Sequence, residues 1–345
     1  MIADRYYYSR LTKREQTIYK DLYQGVKNME PRISTIYFSD AQTIANKVFE
    51  AFVRDNPHFF YFDFTRCNLL QSSKETVFEA NYIYSKSDAD KYSKRCMQKV
   101  DEIVKQVYAS AGNDEVKREK ELYTYFCEHF HGLQFDDGRK LSEPVFRGHS
   151  IIGPLIDGKA NCDGFARAFK LVLNAMDMKC IFVSGTADSP DNGPNQPHGW
   201  NIVKINGKNY HTDVTWGVAN SSPGNVVYNF LNLTDARISA DHHWKGTLPK
   251  CTSDDLGHFK ASGLQIDNTI FLKNHIKKAI QAKKTITEFE LVKGQGKCGF
   301  NDLSNAVQLV QAAAQRASGE VRERISYEIK YMPGSTAFRM EIKYD

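Results

Sequence analysis

The chain has 345 residues, of which 41% are hydrophobic, 25% charged and 12% aromatic. That composition is globular and excludes disordered and collagen-like chains, and the length predicts about two or three domains. The net charge of +5 (46 basic against 41 acidic residues) is spread along the chain rather than gathered in a patch, which speaks against a nucleic-acid partner. No apolar run approaches the ~18 residues that cross a bilayer, so no membrane span is expected. The N-terminus, Met1 to Tyr8, has no apolar export signal. As it stands the chain is expected to be cytoplasmic, or else a leader was removed ahead of residue 1 from a secreted or cell-surface protein.

Taken in order, the first ~112 residues are expected to be mostly helical. Thr12 and Glu15 form a capping-box pattern before Ile18, Leu22 and Val26 at helical spacing. Asp40 is placed to cap a helix through Ile44, Val48, Phe49 and Phe52, ended by Asn56-Pro57. His58 to Phe64 has the apolar density of a short buried strand. Asp88 opens a long helix with Met97, Val100, Ile103, Val104 and Val107 on one face, and Gly112-Asn113-Asp114 breaks it. A charged helix spans Lys117 to Phe130, and another starts at Cys162. Cys180 to Thr186 reads as a strand, and Asp188 to Pro197 as a loop holding Pro190, Pro194 and Pro197. Near the end come a helix over Ile270–Ala282, a strand over Thr287–Val292, and a helix capped by Asn301. A hairpin of Ile325–Tyr331 and Ala337–Tyr344 around Met332-Pro333-Gly334-Ser335 closes the chain. The expected division is 1–114, mostly helical; 115–262, the chemical core; and 263–345, a small α+β accessory domain.

Seven cysteines (Cys67, Cys96, Cys127, Cys162, Cys180, Cys251 and Cys298) are widely spaced, odd in number and free of Cys-x-x-Cys pairs. This argues against a disulfide framework and against a zinc knuckle, and most of them are expected to be small buried hydrophobes. Cys162 differs. Phe165, Phe169, Val172, Leu173 and Met176 follow it at helical spacing, with Arg167, Lys170 and Asn174 on the other face. A thiol in the first turn meets unpaired N–H groups and the positive end of the helix dipole, both of which favour thiolate.

Downstream, His198 to Ile205 alternates, Asn206-Gly207 is a hairpin turn, and Asn209 to Trp216 returns. A two-residue turn makes paired numbers sum to 413, which sets His198 opposite Thr215 and makes Asp213 its diagonal neighbour on the same face. A one-residue slip would separate them. A thiol at a helix start with a His-Asp pair suits nucleophilic catalysis: the imidazole takes the thiol proton and the carboxylate holds the imidazole. Trp200 shares the His198 face and either walls the cleft or fills the core. The Asp188–Pro197 loop is expected to rim the cleft. His242 and His243, beside Asp241 and Trp244, lack further ligands at metal-binding spacing and are read as structural packing under the hairpin; no metal or cofactor is expected.

The run Gly158-x-x-x-Cys162-x-Gly-Phe-Ala, then His198-x-Trp200-Asn201, then Asp213-x-Thr-Trp216, resembles the core signature of the transglutaminase-like superfamily over about residues 116–245. The segment Leu233 to Trp244 resembles the stretch after the triad in bacterial members. The resemblance implies an α+β protein with a papain-like core, in which the cysteine helix packs on an antiparallel sheet. It also implies a catalytic triad of Cys162 as nucleophile, His198 as base and Asp213 as orienting acid. Phe135-Asp136 and Asn161 depart from the common pattern, so the oxyanion hole is less defined: Cys162 N–H is one expected donor, and Gln134 and His149 are candidates for a second. The implied activity is cysteine-dependent acyl transfer on a protein or peptide substrate, a peptidase or amidase in preference to a transglutaminase. A binding module on the same fold is the alternative from another class.

Overall fold

The computed structural model describes residues 5–133, 143–189, 193–292, 303–321, 323–331 and 336–344. Gln134, Cys298, Asn301, residues 190–192 and the turn 332–335 therefore lie outside the described residues. Contacts divide the chain into two units. The first holds residues 1–187, 195–235 and 242–253; the second holds 188–194, 236–241 and 254–345.

In the first unit, the Thr12–Glu15 capping box forms and starts α1 (Lys13–Asn28), with Ile18, Leu22 and Val26 buried beneath it. Helix α2 (Ala41–Asp55) stops at Asn56 as expected, and Asp40 stands at its N-cap in the left-handed region without a side-chain cap bond. A three-stranded antiparallel sheet, unforeseen from the sequence, adds β1 (Arg32–Ile36), β2 (Asn68–Gln71) and β3 (Glu75–Glu79) in the order β1-β3-β2. Helices still make up most of this region, with the small sheet beside them. The expected strand at His58–Phe64 is instead a set of turns and a 3-10 segment with one bridge, Phe62 to Tyr82. Phe59, Phe60, Tyr61 and Phe62 are all buried. Their apolar density reflects a ring cluster, with Phe52 stacked on Phe59 at 5.4 Å and edge-on to Phe62 at 5.7 Å, rather than a ladder.

Helix α3 (Lys86–Ala111) is capped by Ser85, one turn before the expected Asp88, and buries Cys96, Val100, Ile103 and Val107 while Met97 stays exposed. Gly112 breaks it with φ 58°, and Asp114 caps α4 (Glu115–His129) through the Val116 and Lys117 amides. Cys162 begins α5 (Cys162–Ala175), whose Phe165, Phe169, Val172 and Leu173 have no exposed surface. The opposite face also packs against protein. Lys170 is buried, donating to Asn174 Oδ1 at 3.1 Å and to Cys180 O at 2.7 Å. A buried ammonium is tolerated where its donors are satisfied.

That face lies on a four-stranded sheet of β4 (Cys180–Ser189), β5 (Gly193–Ile205), β6 (Lys208–Thr212) and β7 (His242–His243), ordered β6-β5-β4-β7. The hairpin register is the predicted one: Asn201 pairs Thr212 and Ile205 pairs Lys208, through Asn206 (φ 49°) and Gly207 (φ 84°). The expected loop 188–197 is largely strand. Residues 193–200 run past the ladder with β6, where a proline costs no bond to that strand.

The second unit contains α7 (Thr269–Gln281) and α8 (Leu303–Val321), with β8 (Gln265–Ile266), β9 (Ile286–Leu291), β10 (Ile325–Tyr331) and β11 (Ala337–Tyr344). The strands are ordered β8-β9-β11-β10, and β10 and β11 are the expected hairpin. Leu272, Ile276, Val310, Ala314, Phe289 and Met340 form its core. Among the described residues no helix is long and apolar enough to cross a membrane.

Helix α4 buries Glu119 completely, with Thr212 donating to its Oε1 at 2.9 Å. Burial pushes this carboxyl up to about 7, against the hydrogen bonds of Thr212 and Asn232. A carboxyl with a higher pKa folded than unfolded holds its proton more tightly when folded. Stability therefore falls as pH rises from the ordinary value of 4.5 to about 7, and the deficit is complete above that. In urea unfolding, the wild type should lose about 3 kcal/mol more than Glu119→Gln between pH 5 and 8. Parallel pH profiles would contradict this.

Candidate functional site

The site begins at an uncapped helix end. Asn161 precedes Cys162 with extended backbone (φ −90°, ψ 177°) and makes no side-chain cap bond, so the N-cap side chain leaves the first-turn N–H groups of α5 open. The segment Gly148–Ser150 lies directly over this turn, and Asn161 N–H donates to Gly148 O at 3.0 Å. Gly164 permits the approach, since a Cβ there would stand 2.1 Å from Gly148 O. His149 is thereby held beside the cysteine: its Nε2 is 2.8 Å from Asn161 Nδ2, and its Nδ1 is 3.8 Å from Asp163 Oδ2. Both ring nitrogens face the two residues flanking Cys162.

Opposite, His198 on β5 places Nε2 2.8 Å from Asp213 Oδ2. The contact anticipated from the register exists, but by a different local route. Strand β6 ends at Thr212, and Asp213 is the N-cap of a further helix, α6 (Val214–Asn220), so Thr215 is helical and does not pair with His198. Asp213 Oδ1 accepts the Thr215 and Trp216 amides at 2.9 and 3.1 Å, which leaves Oδ2 for the imidazole.

Oδ2 has a second partner that sequence reasoning treated as packing. His242, on β7 and 1% exposed, sets its Nε2 3.1 Å from it. Asp213 itself has no exposed surface and takes four hydrogen bonds. Burial alone would raise its carboxyl pKa, but the charge and hydrogen bond of His198, followed by those of His242, hold it well below the usual range. In return, burial works against the His198 imidazolium, yet the Asp213 charge and hydrogen bond, with a further contribution from the Cys162 thiol, raise it to about 10. With Nε2 committed to Asp213, Nδ1 is the nitrogen left to meet Cys162.

The remaining candidates separate cleanly. Trp200 has no exposed surface and gives its indole N–H to His211 Nδ1 at 3.0 Å, so it fills the core under His198 rather than walling an open cleft, and its donor is used. Trp216 is the partly exposed ring beside the site, 5.7 Å from His198 and 4.5 Å from His242. Its place at Asp213+3, in the first turn after a cap, was the available signal. Asn201, fully buried, donates to Ala166 O on α5 at 3.0 Å and to Ile181 O at 3.3 Å, tying the cysteine helix to the histidine strand. Gln134 lies outside the described residues. Burial pushes Cys96, Cys127 and Cys251 up to about 12, and raises Cys67, so these thiols hold their protons at neutral pH.

Among the described residues, two groups place potential metal ligands together: His198, Asp213 and His242, and His211, Asp235 and Cys251. In the first, Oδ2 already takes both imidazoles. In the second, the Trp200 N–H makes His211 Nδ1 an acceptor, so the His211 proton sits on Nε2 and faces Asp235 Oδ1 at 3.1 Å. A metal on Nε2 would move that proton to Nδ1, against the tryptophan donor. Both donor sets fit hydrogen-bond networks rather than metal coordination.

Residues 101–216 match the family model described as Transglutaminase-like superfamily, a span that includes Cys162, His198 and Asp213. A curated relative, kyphoscoliosis peptidase of Mus musculus, is 23% identical over 173 residues, covering 47% of this chain and 25% of that protein, so the chain spans about a quarter of that relative's length. A solved structure described as "Crystal structure of a TGase" is similar at 15% identity and a TM-score of 0.30, covering 54% of this chain and 51% of that one.

Removing the His242 donor leaves a buried carboxylate oxygen short of one bond. Denaturant unfolding should show His242→Phe destabilised by about 1–3 kcal/mol, with His242→Gln recovering much of that through its amide N–H. If the phenylalanine variant is as stable as wild type, the bond to Oδ2 carries no weight.

Proposed function

From a chain that carries a transglutaminase-like superfamily core over residues 101–216, we propose a cysteine-dependent acyl-transfer enzyme that hydrolyses amide bonds in proteins or peptides. The observation that carries the reading is the His198–Asp213 contact at 2.8 Å, with the Cys162 thiol on the remaining side of the imidazole. His198 takes the Cys162 proton, and the thiolate sulfur attacks the amide carbon. The oxyanion that develops is met by the uncapped first-turn N–H of Cys162. The C–N bond then breaks, the imidazolium proton goes to the departing amine, and a thioester remains. His198 next takes a proton from water, the hydroxide oxygen adds to the thioester carbon, and the carboxylic acid leaves as Cys162 regains its proton. Asp213 stays ionised throughout and holds the imidazole by Nε2, keeping Nδ1 toward the sulfur.

Hydrolysis is favoured over transfer to an amine, in line with a curated relative named as a peptidase. The experiment is wild type against Cys162→Ala on a mixed protein substrate containing a labelled primary amine. New peptide termini in the wild type alone, with at least a roughly 10³-fold loss in the variant, are expected. Incorporation of the amine would replace the hydrolase with a transglutaminase. Neither product, with both proteins folded, would overturn the enzyme reading in favour of a binding module.

A further inference from the structure

A cavity of about 250 Å³ opens beside the first turns of α5, lined on that side by Asp163 and Arg167. Rings make up much of the remaining lining, among them Phe60, Phe62 and Phe64 from the N-terminal cluster and Phe146 from the segment preceding His149, with Asn56 and Asp63 as polar neighbours. We propose that this cavity is the subsite for a large uncharged apolar side chain, an aromatic one, of the acyl-donor peptide. The proposal rests on the assignment of Cys162 as nucleophile and adds the class of side chain that accompanies the scissile amide.

Three observations support it. The first is size. Pockets for drug-sized ligands and cofactors run to about 300–1,000 Å³, so this one is scaled to a single large side chain.

The second is position. Asp163 is the next residue after Cys162, with a Cα about 3.8 Å away, and its Oδ1 would be 3.0 Å from a Cβ built on Gly199, the neighbour of His198. An extended peptide advances about 3.3–3.6 Å per residue, so a carbonyl at the thiol and a side chain in the cavity are one or two residues apart. A second aromatic cavity, of about 330 Å³, meets α5 at Leu171, more than two turns further along the helix, and is out of that range.

The third is charge. The charged groups of the lining are already paired: Asp63 accepts from the Thr65 N–H and hydroxyl and meets Arg66 at 3.4 Å. Arg167 donates to Val53 O at 2.8 Å, stacks over the Phe182 ring at 4.6 Å and faces the Asp163 carboxylate. Burial would raise the Asp163 pKa, but His149 and Arg167 hold it below the usual range, so a compensated cation–anion pair lines the cavity. A charged side chain would find no unbalanced partner there, whereas a ring would find ring faces and edges.

Ile83 lines the cavity and is 37% exposed, which makes it the place to alter the cavity without cutting into the core. The test uses peptidyl acyloxymethyl ketones, in which the thiolate displaces a carboxylate and a C–S bond forms. The probes carry Phe, Ala or Glu at the residue bearing the ketone or at the one before it. Each labelling rate at Cys162 is divided by the iodoacetamide rate of the same variant. In the wild type the Phe probe should label at least about 10-fold faster than the Ala or Glu probe. Ile83→Trp, which fills the mouth, should bring the Phe-to-Ala ratio to within about 2-fold of unity, and Ile83→Ala should keep the preference for Phe. Equal Phe and Ala rates in the wild type would overturn the subsite, as would a preference that survives Ile83→Trp. Iodoacetamide that fails to select Cys162 would instead overturn the nucleophile assignment, and the subsite with it.

Discussion

The candidate site depends on one carboxylate kept ionised without solvent. Asp213 has no exposed surface, and an unpaired carboxylate there would cost several kcal/mol. Four donors from three elements offset that cost: two amides of α6, His198 of β5 and His242 of β7. Each must arrive in register, so the charge constrains the hairpin, the helix start after it and the short outer strand together. The same carboxylate keeps the imidazolium of His198 stable to about 10 against its own burial.

The cysteine is brought to this pair by a separate set of contacts. Asn201, three residues after His198, clips the backbone of α5 through Ala166 O, and Lys170 fastens the next turn to β4. Gly164 lets the chain at Gly148 cross the first turn at backbone contact. These bonds run between rigid elements rather than loops, which is what positioning reacting atoms demands. Cys162 stands at the uncapped start of α5 beside the His198 imidazole, whereas burial keeps Cys96, Cys127 and Cys251 protonated.

Much of this was legible where local chemistry decides structure. Asn206-Gly207 specified a turn with two positive φ angles and so the whole register, and Thr12–Glu15 and the Cys162 stripe announced helices through capping and period. Illegibility came from tertiary contacts. The aromatic run 58–64 is buried in turns because its rings pack on one another, and periodicity cannot separate that from a buried strand. Asp213 looked like a strand residue because its capping role depends on the chain turning at Thr212. His242 gave no sequence sign of its bond to Asp213, as the pair is 29 residues apart and meets only through the β4–β7 pairing. Lys170 fell on the face that a helical wheel assigns to water, and only the presence of β4 makes it core.

The most direct test of the account is the pH dependence of Cys162 alkylation by iodoacetamide in wild type and Asp213→Asn. If the carboxylate sustains an imidazolium beside the thiol, the wild type should react through pH 6–8 at a rate that is nearly flat and about 10²-fold or more above that of the asparagine variant at the low end. The variant should instead show the steep rise of an ordinary thiol with pKa near 8.5. Superimposable profiles for the two proteins would contradict the account.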